Sequence, residues 1–446
     1  MYETTRTTHA LAIALLLAPI LGHAADSAPG SAAQFASAGA IARPALPPTL
    51  SKSDDYRDPD MWARIRSGYA IPDIDNALVA KHVQWYASRP DNLVRISSRA
   101  SLYLYHVVKE LENRGMPTEL ALLPVIESAF NPQALSTANA AGIWQFVPDT
   151  GKTFNLQQNM FKDERRGVLA STDAALTYLQ RLYTMFGDWQ LALAAYNWGE
   201  GNVQKAIQKN RSLGKPTDFE SLAELMPAET RNYVPRLQAV KNIIANPGQY
   251  GISLPTIDNQ PYFTTVDKTS DIDLAVAAQL AEMSIDEFKA LNPQFKKPVI
   301  AGDSKILLPK ENAEKFHLNL AQWGQALSSW SVHKITSARE SIASLASKFG
   351  TTPEVIRQAN NIPPQMRLKA GSTILVPRTS ASAGDITENI IENAQMALEA
   401  DRGESRKGRK LSGAQRIKAS AAHAVAEIKS HMSRKPAVNA NGRKRR

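Results

Sequence analysis

Four short segments of this chain place an acid, amides, phenols and glycines at spacings that suit sugar chemistry. In the first segment, Thr118 to Pro132, Glu127 shares a helical stripe with Leu120 and Leu123. An acid on a stripe destined for burial must be paired, or neutral with a raised pKa. A neutral carboxyl group near working pH suits a general acid that cleaves a glycosidic bond. A solvated or capping glutamate at a helix end is the structural alternative.

The second segment, Ala140 to Gly151, combines a glycine, an aromatic ring and an amide in the sequence AAGIWQFVPDTG. Gly142 permits close approach of the backbone to a ligand, and Trp144 with Gln145 offers a flat apolar face beside an amide donor and acceptor. This combination binds sugars by stacking and hydrogen bonding. The alternative is a core position, because Trp and Phe are usually buried.

The third segment, Ala194 to Val203, breaks a helix at a glycine-rich turn, AAYNWGEGNV. Asn197 is predicted at the helix end beside Tyr196, and Gly199 and Gly201 permit positive φ or close approach of a substrate. A plain C-cap explains the asparagine and one glycine. Helix capping and substrate binding therefore both remain open.

The fourth segment, Glu229 to Arg236, reads ETRNYVPR and follows Pro227. Tyr233 is its candidate functional residue, because a phenol can hydrogen-bond the catalytic acid or the bond being cleaved. The structural alternative is an ordinary charged helix start.

The elements that must position these segments are mostly helical. Residues 26–50 are rich in Ala, Ser and Pro, so we expect 26–73 to be a linker and lead-in. From Ile74 to Ile244 helical spacing dominates, as at Leu102, Val107 and Leu111. The pattern predicts one all-helical globular domain over 74–250.

The chain then repeats itself with an offset of 68 residues, so that Asn292 matches Asn360. Each copy runs a short strand, two short helices, an asparagine-containing turn and a closing strand (ILLP or ILVP). The spacing predicts two small βααβ modules, at 260–312 and 328–379. Units of this size usually bind something and seldom carry chemistry alone.

The absence of cysteine and the N-terminal pattern limit the other classes of protein. Without Cys the chain has no disulfide, no thiol nucleophile and no lipoprotein anchor cysteine. The eight His are scattered without ligand spacing, so we expect no metal and no cofactor. Residues 1–25 carry a short apolar run, which predicts a signal peptide and an exported, periplasmic protein; a retained apolar helix is the alternative.

The positive charge belongs to the tail. The net charge is +10, and residues 401–446 hold 14 Lys or Arg against 3 Asp or Glu, so the other 400 residues sum to about −1. The pattern predicts a disordered tail over 380–446. It is either a solvated end or a segment that contacts anionic wall or membrane surfaces, and export argues against nucleic acid as a partner.

Taken in order, LLPVIES, GIWQF, AYNWGEG and ETRNYVPR resemble the signature of the lytic transglycosylases with a lysozyme-like domain. The resemblance covers roughly Ile74 to Pro377 and includes the two repeats, which look like LysM modules. It implies cleavage of the β-1,4 bond between N-acetylmuramic acid and N-acetylglucosamine in peptidoglycan glycan strands without water. The implied product is a 1,6-anhydromuramyl end.

The resemblance also implies that Glu127 is the sole acid/base and that substrate is held by a set of polar and small residues. That set is Ser136, Gln145, Tyr196, Asn197, Gly199 and Tyr233. Tethered attack by the muramyl 6-hydroxyl removes the need for a second carboxylate, because an internal nucleophile has a high effective molarity. The alternatives are a muramidase, which would recruit Asp149, Glu200 or Glu229 as a second acid, and an inactive wall-binding scaffold.

The repeats depart from the LysM pattern after their first strands. A Ser-Gly-Asp-Thr turn is usual there, whereas this chain has DKTSDID and KITSARE. We therefore expect the fold to persist and glycan binding to be weakened, especially at Asp271 to Asp273. The oligomeric state does not follow from the sequence.

Overall fold

A computed structural model describes residues 58–379 and 384–401. The predicted signal peptide, most of the predicted linker and the basic stretch after residue 401 lie outside the described residues.

The N-terminal part of the described chain is helical and surrounds one hydrophobic core. Tyr103, Phe130 and Trp144 are among its largest fully buried side chains. Its α-helices are α1 (Met61–Ser67), α2 (Ala77–Ala87), α3 (Pro90–Ala100), α4 (Leu104–Asn113), α5 (Leu123–Ser128), α6 (Pro148–Thr153), α7 (Val168–Phe186), α8 (Trp189–Trp198), α9 (Glu200–Ser212), α10 (Phe219–Leu222) and α11 (Ala228–Ala245). The expected all-helical unit is therefore confirmed as a fold class.

This core begins earlier than the sequence pattern indicated. Met61 and Trp62 of α1 are buried in it, although residues up to 73 were expected to be a lead-in. The Trp62 indole donates to the Pro255 carbonyl at 2.9 Å, and the Met61 amide donates to the Ile257 carbonyl at 2.8 Å. The start of the helical unit is thus held by the segment that follows its last helix. Such a long-range contact has no local sequence signal.

Two short helical pieces hold the predicted acid. Thr118–Leu122 forms a 3₁₀ turn that leads into α5, where Pro124 lies in the first turn and Glu127 near the end. Ala129 and Phe130, both at a φ of 52°, then turn the chain sharply away. The segment that carries Glu127, expected to be helical, is therefore a 3₁₀ turn followed by a short α-helix. α11 packs across α2, α5 and α8, which brings the fourth motif to the first.

The two repeats form small αβ units of the expected type. Their elements are β1 (Phe263–Asp267), β2 (Ile272–Asp273), α12 (Leu274–Leu280), α13 (Ile285–Leu291), β3 (Val299–Ile300), β4 (Lys305–Pro309), α14 (Lys310–Ala321), β5 (Trp330–Lys334), α15 (Ile342–Lys348), α16 (Pro353–Asn360), β6 (Met366–Leu368) and β7 (Thr373–Pro377). The opening and closing strands pair antiparallel in both units, β1 with β4 and β5 with β7.

One buried asparagine performs the same structural task in each repeat. Asn292 exchanges two hydrogen bonds of 2.8 Å with the backbone of Leu307, and Asn360 exchanges bonds of 2.7 and 2.8 Å with Leu375. Each asparagine therefore joins the end of the second helix to the closing strand. The 68-residue offset of the sequence is reproduced in these contacts.

Part of the segment that was expected to be disordered is ordered. Residues 384–401 contain α17 (Glu388–Asn393) and β8 (Leu398–Ala400), and β8 pairs antiparallel with β6. The expectation of a disordered tail starting at residue 380 is therefore wrong for this stretch. An exposed strand edge accepts a further strand through its unpaired backbone groups, and no charge pattern reveals that.

Candidate active site

Glu127 lies at the end of α5 and contacts the fourth motif directly. The Tyr233 hydroxyl donates to Glu127 Oε1 at 2.5 Å, across 106 residues of sequence. The Glu127 residue is half-buried, and Tyr233 is buried. The carboxyl group is thus held in an apolar wall while part of the residue remains accessible to a ligand.

Burial is the main influence on this carboxyl group and raises its pKa from 4.5 to about 7. The hydrogen bond from Tyr233 and the positive charge of Arg236 lower the pKa, because both favour the carboxylate, while the charge of Glu229 raises it. A group with a pKa near 7 exists in both protonation states near neutral pH. It can therefore give up a proton and later take one back.

A second phenol flanks the acid from α8. The Tyr196 hydroxyl donates to the Trp144 carbonyl at 2.9 Å, which links the third motif to the second. Burial raises its pKa well above 10, and the nearby charge of Glu127 raises it further. Burial likewise keeps Tyr233 a neutral phenol, so both phenols act as hydrogen-bond donors.

Asn197 is joined to α11 through a threonine. The Thr230 hydroxyl donates to Asn197 Oδ1 at 2.7 Å, and Thr230 lies one turn before Tyr233. Among the residues described, none accepts a hydrogen bond from the Asn197 amide nitrogen. The contact orients the side chain and leaves its amide donor available.

Ser128 belongs to this cluster, although the sequence patterns did not single it out. Its hydroxyl reaches the carbonyl oxygens of Ile143 at 3.0 Å and Pro124 at 3.2 Å. It therefore ties the end of α5 to the GIWQF segment. Its place directly after Glu127 was the only available signal.

The GIWQF segment is built differently from the expectation. The close approach at Gly142 is to the chain itself, because a Cβ there would lie 1.9 Å from the Arg165 carbonyl oxygen. Trp144 is fully buried and its indole donates to Thr172, so it is a core residue and not a stacking surface. Gln145 remains half-buried at a φ of 52°, with its amide donating to the Gly142 carbonyl at 2.8 Å.

The remaining predicted residues divide between the cluster and its surroundings. Ser136 exchanges hydrogen bonds with Ala140 inside a turn, and its described contacts do not join it to Glu127. Gly199 has a φ of 90° between α8 and α9, which explains the glycine by backbone conformation. Gly201 lies inside α9 at an ordinary φ, so the positive-φ explanation does not apply to it.

Of the three other acids in the motifs, one lies near Glu127. Asp149 is 96% exposed and pairs with Lys152. Glu200 accepts a hydrogen bond from Tyr178 at 2.8 Å. Glu229 alone is close enough to affect the pKa of Glu127. Within 58–379 and 384–401 no group of acids and histidines is arranged to hold a metal ion.

The first segment contains a second acid, Glu119, which sequence reasoning passed over. It is fully buried and accepts hydrogen bonds from the backbone amides of Ala70 at 3.0 Å and Ile71 at 2.7 Å. Lys241 forms an ion pair with it at 3.1 Å. Its neighbours come from two distant parts of the chain, so local spacing carried no signal for this contact.

The doubtful loop of the first repeat is occupied by the chain itself. Asp273 accepts hydrogen bonds from Ser328 at 2.9 Å and the Ser329 amide at 3.0 Å. Asp271 accepts from the Ile386 amide at 2.7 Å. The acids that replace the usual turn therefore hold the second repeat and the segment after it.

Three family models match this chain. Transglycosylase SLT domain matches residues 105–219, the LysM-like domain of lytic transglycosylase MltD matches 262–325, and the LysM domain matches 337–377. No helix in the described ranges has the length and apolar character of a membrane span.

Named relatives cover much of the same region. The chain is 36% identical over 352 residues, 76% of each protein, to membrane-bound lytic murein transglycosylase D of Escherichia coli K12. It is 27% identical over 206 residues to membrane-bound lytic murein transglycosylase C of Haemophilus ducreyi, covering 41% of this chain and 53% of that protein. The 70 kDa soluble lytic transglycosylase of E. coli matches with 22% identity and a TM-score of 0.28, over 37% of this chain and 30% of that one.

Proposed function

This chain belongs to the lytic transglycosylases with an SLT domain, and we propose that it cuts peptidoglycan between N-acetylmuramic acid and N-acetylglucosamine. In this proposal Glu127 is the only acid/base, and the products carry 1,6-anhydromuramyl ends. The observation that supports this most directly is the buried carboxyl group of Glu127, held by Tyr233 and given a pKa of about 7.

The hydrogen bond to Oε1 assigns the proton to the other oxygen. Because the Tyr233 hydroxyl donates to Glu127 Oε1, the acidic proton belongs on Oε2. Oε2 gives this proton to the bridging oxygen as the bond to the anomeric carbon breaks. The resulting carboxylate takes the proton of the muramyl 6-hydroxyl while the hydroxyl oxygen attacks the anomeric carbon. This step restores the acid and consumes no water.

Glu229 supports the rival reaction, hydrolysis. It is the acid of the other motifs that influences Glu127 electrostatically, and a hydrolase needs a second carboxylate to activate water or to attack the sugar. We favour the internal nucleophile because Glu229 is exposed, whereas the tethered hydroxyl is already beside the reacting carbon.

The roles of the remaining residues follow from what each side chain offers. The Asn197 amide nitrogen and the Gln145 carbonyl would bind the acetamido and hydroxyl groups of the sugars, since the other polar atom of each side chain is already engaged within the protein. Tyr196 and Tyr233 would hold the acid and its surroundings, and Gly199 would let the chain turn beside the sugar. Ser136 would bind a part of the glycan farther from the acid, because its contacts do not join it to Glu127. The two LysM-like units would hold the same glycan strands, the second more strongly, since the first uses Asp271 and Asp273 internally.

Mass analysis of digested peptidoglycan tests the reaction. We expect fragments lighter by one water than those from hydrolysis, and their loss in Glu127→Gln. Fragments of hydrolysed mass would assign a muramidase, and no fragments from the unaltered protein would assign a scaffold. Wall binding by Glu127→Gln serves as the control that the variant is folded.

We further propose that the enzyme acts outside the cytoplasm, where peptidoglycan lies. The basic tail would assist by long-range attraction to anionic wall or membrane surfaces, which salt weakens. Wall pull-down with a chain ending at Ala400, at two salt concentrations, tests this. Unchanged binding by that truncated chain would leave the tail without a role in attachment.

A further inference from the structure

A groove of about 950 Å³ lies beside the catalytic helix. Val125, Ile126 and Ala129 of the α5 region form part of its wall. Glu229 and Arg236 also line it, and both lie close enough to Glu127 to act on its charge. Helices α2 and α3 form the opposite wall, and both precede residues 105–219, the part matched as an SLT domain. The groove is therefore built largely by helices that the matched domain does not include.

Five cations line this groove against one acid, Glu229. The five cations are Lys81, Arg89, Arg95, Arg99 and Arg236. None of the ion pairs found among the described residues includes any of these five side chains. Like charges gathered without partners repel one another, so the groove is prepared for a negatively charged ligand.

Several arginines elsewhere in the same helical unit are paired: Arg64 with Glu112, Arg165 with Asp163, and Arg181 with Glu200. Arg231 lies outside the groove and donates to the Ala223 and Met226 carbonyls. The groove is therefore distinguished by the number of such cations that it gathers in one place.

Three of the four arginines of the groove are bound to neutral groups instead. Arg89 donates to the Trp85 carbonyl at 3.1 Å, Arg95 donates to Asn92, and Arg99 donates to the Ala129 carbonyl at 3.3 Å. Those contacts orient the guanidinium groups and leave their charge uncompensated.

The groove also has an apolar surface, which suits a ligand larger than a simple anion. Trp85 is 43% exposed, and the Arg89 guanidinium lies 4.8 Å from the centre of its ring. A flat ring next to a cation binds a chain that carries both apolar atoms and carboxylates. A simple inorganic anion would use only the cations.

We propose that this groove binds the carboxylates of the peptide side chains that peptidoglycan carries on its muramyl residues. The inference rests on the proposed function, because the bond that Glu127 would break belongs to a muramyl residue, and the peptide on that residue must lie within reach. The sugars are uncharged apart from the peptide-bearing group, so the peptide is the part of the substrate with the charge complementary to the groove.

Binding to two matched ligands tests the proposal. The full-length protein carrying Glu127→Gln would be titrated with soluble glycan strands that keep their peptides, and with the same strands after an amidase has removed them. The test variant adds Arg89→Gln and Arg95→Gln, both at exposed positions. The matched control adds Lys209→Gln and Arg211→Gln, which remove the same charge from the exposed end of α9, outside the groove.

We expect the test variant to bind peptide-bearing strands about five- to tenfold more weakly, as the loss of two exposed charge contacts predicts, and to bind stripped strands as before. The control should bind both ligands unchanged. The stripped strands keep the sugars and carry the lactyl carboxylate that the amidase exposes, but no peptide. Equal loss on both ligands would therefore overturn the proposal by assigning the groove to the glycan or its lactyl group, and no loss on either would overturn it as well. A third titration uses vesicles of anionic phospholipid. If the test variant lost binding only to these vesicles, the proposal would be overturned and the groove assigned to a membrane surface. Product masses from the otherwise unaltered enzyme report on the proposed reaction separately.

Discussion

The two ends of one short segment, Thr118 to Pro132, each bury a glutamate, and the two sites differ in how fully the acid is partnered. At the first end, Glu119 receives two backbone amides and the Lys241 ammonium group. At the other end, Glu127 receives one phenol. The sequence around the two acids is similarly apolar, so the difference comes from what packs against each end.

The comparison teaches what separates a structural acid from a reactive one. A carboxylate that is compensated by a cation and several donors is stabilised as an ion pair and joins distant parts of the chain. A carboxyl group buried with a single donor is under-compensated, so its pKa rises to about 7 and its proton becomes available for chemistry. Loss of Glu127 should therefore remove activity, and loss of Glu119 should remove stability.

The largest expected effect is on activity in Glu127→Gln. We expect the rate of glycan release to fall by about 10³-fold, because the amide of Gln cannot replace the carboxyl group as proton donor. Glu224→Gln, an exposed acid of the same unit, is the control and should keep full activity. A Glu127→Gln enzyme that still cuts at a tenth of the normal rate would show that the acid lies elsewhere.

The next effect is on folding in Glu119→Gln. The substitution removes the buried carboxylate partner of Lys241, which keeps Asp73 and the Ile71 carbonyl, each at 2.8 Å. We therefore expect the free energy of unfolding to fall by about 1.5 to 3 kcal/mol, the loss of one buried charged contact. Denaturant unfolding followed through the helical signal measures this. A loss of activity without any loss of stability would contradict the structural role assigned to Glu119.

The pH dependence of stability should report on Glu127. Folding raises the pKa of Glu127 from 4.5 to about 7, so the folded state favours the protonated acid. The contribution of this group to the free energy of unfolding is therefore fully present below about pH 4.5 and is lost as the pH rises through 7. Between pH 5 and pH 8, Glu127→Gln should therefore gain up to about 3 kcal/mol relative to the unaltered protein. Parallel stability curves for the two proteins would argue against a raised pKa.

The smallest effect tests the single donor at Glu127. Tyr233→Phe removes a hydrogen bond that favours the carboxylate, so the pKa of Glu127 should rise and the alkaline limb of the kcat/KM profile should move to higher pH. We expect activity at pH 6 to fall about tenfold, as the loss of one hydrogen bond to a charged group predicts. Tyr183→Phe is the control, since Tyr183 only stacks on Trp189. A profile that moves to lower pH would refute this role.

Much of the architecture was predictable because its signals are local. Helical spacing showed which residues share a face, and the repeated asparagines marked equivalent turns in the two small modules. The order of four motifs predicted the family. By contrast, α1 and β8 were misjudged, because each is held by residues far along the chain: α1 by Pro255 and Ile257, and β8 by β6.

The sequence by itself determined which acid lies on an apolar stripe and which phenols and amides accompany it. Only the tertiary structure decided that Glu119 meets Lys241 while Glu127 meets Tyr233, and that Gly142 makes room for Arg165 and not for a ligand. The physical reason is that the pKa and the role of a buried group depend on its desolvation and on the charges around it, and folding brings those neighbours from more than a hundred residues away.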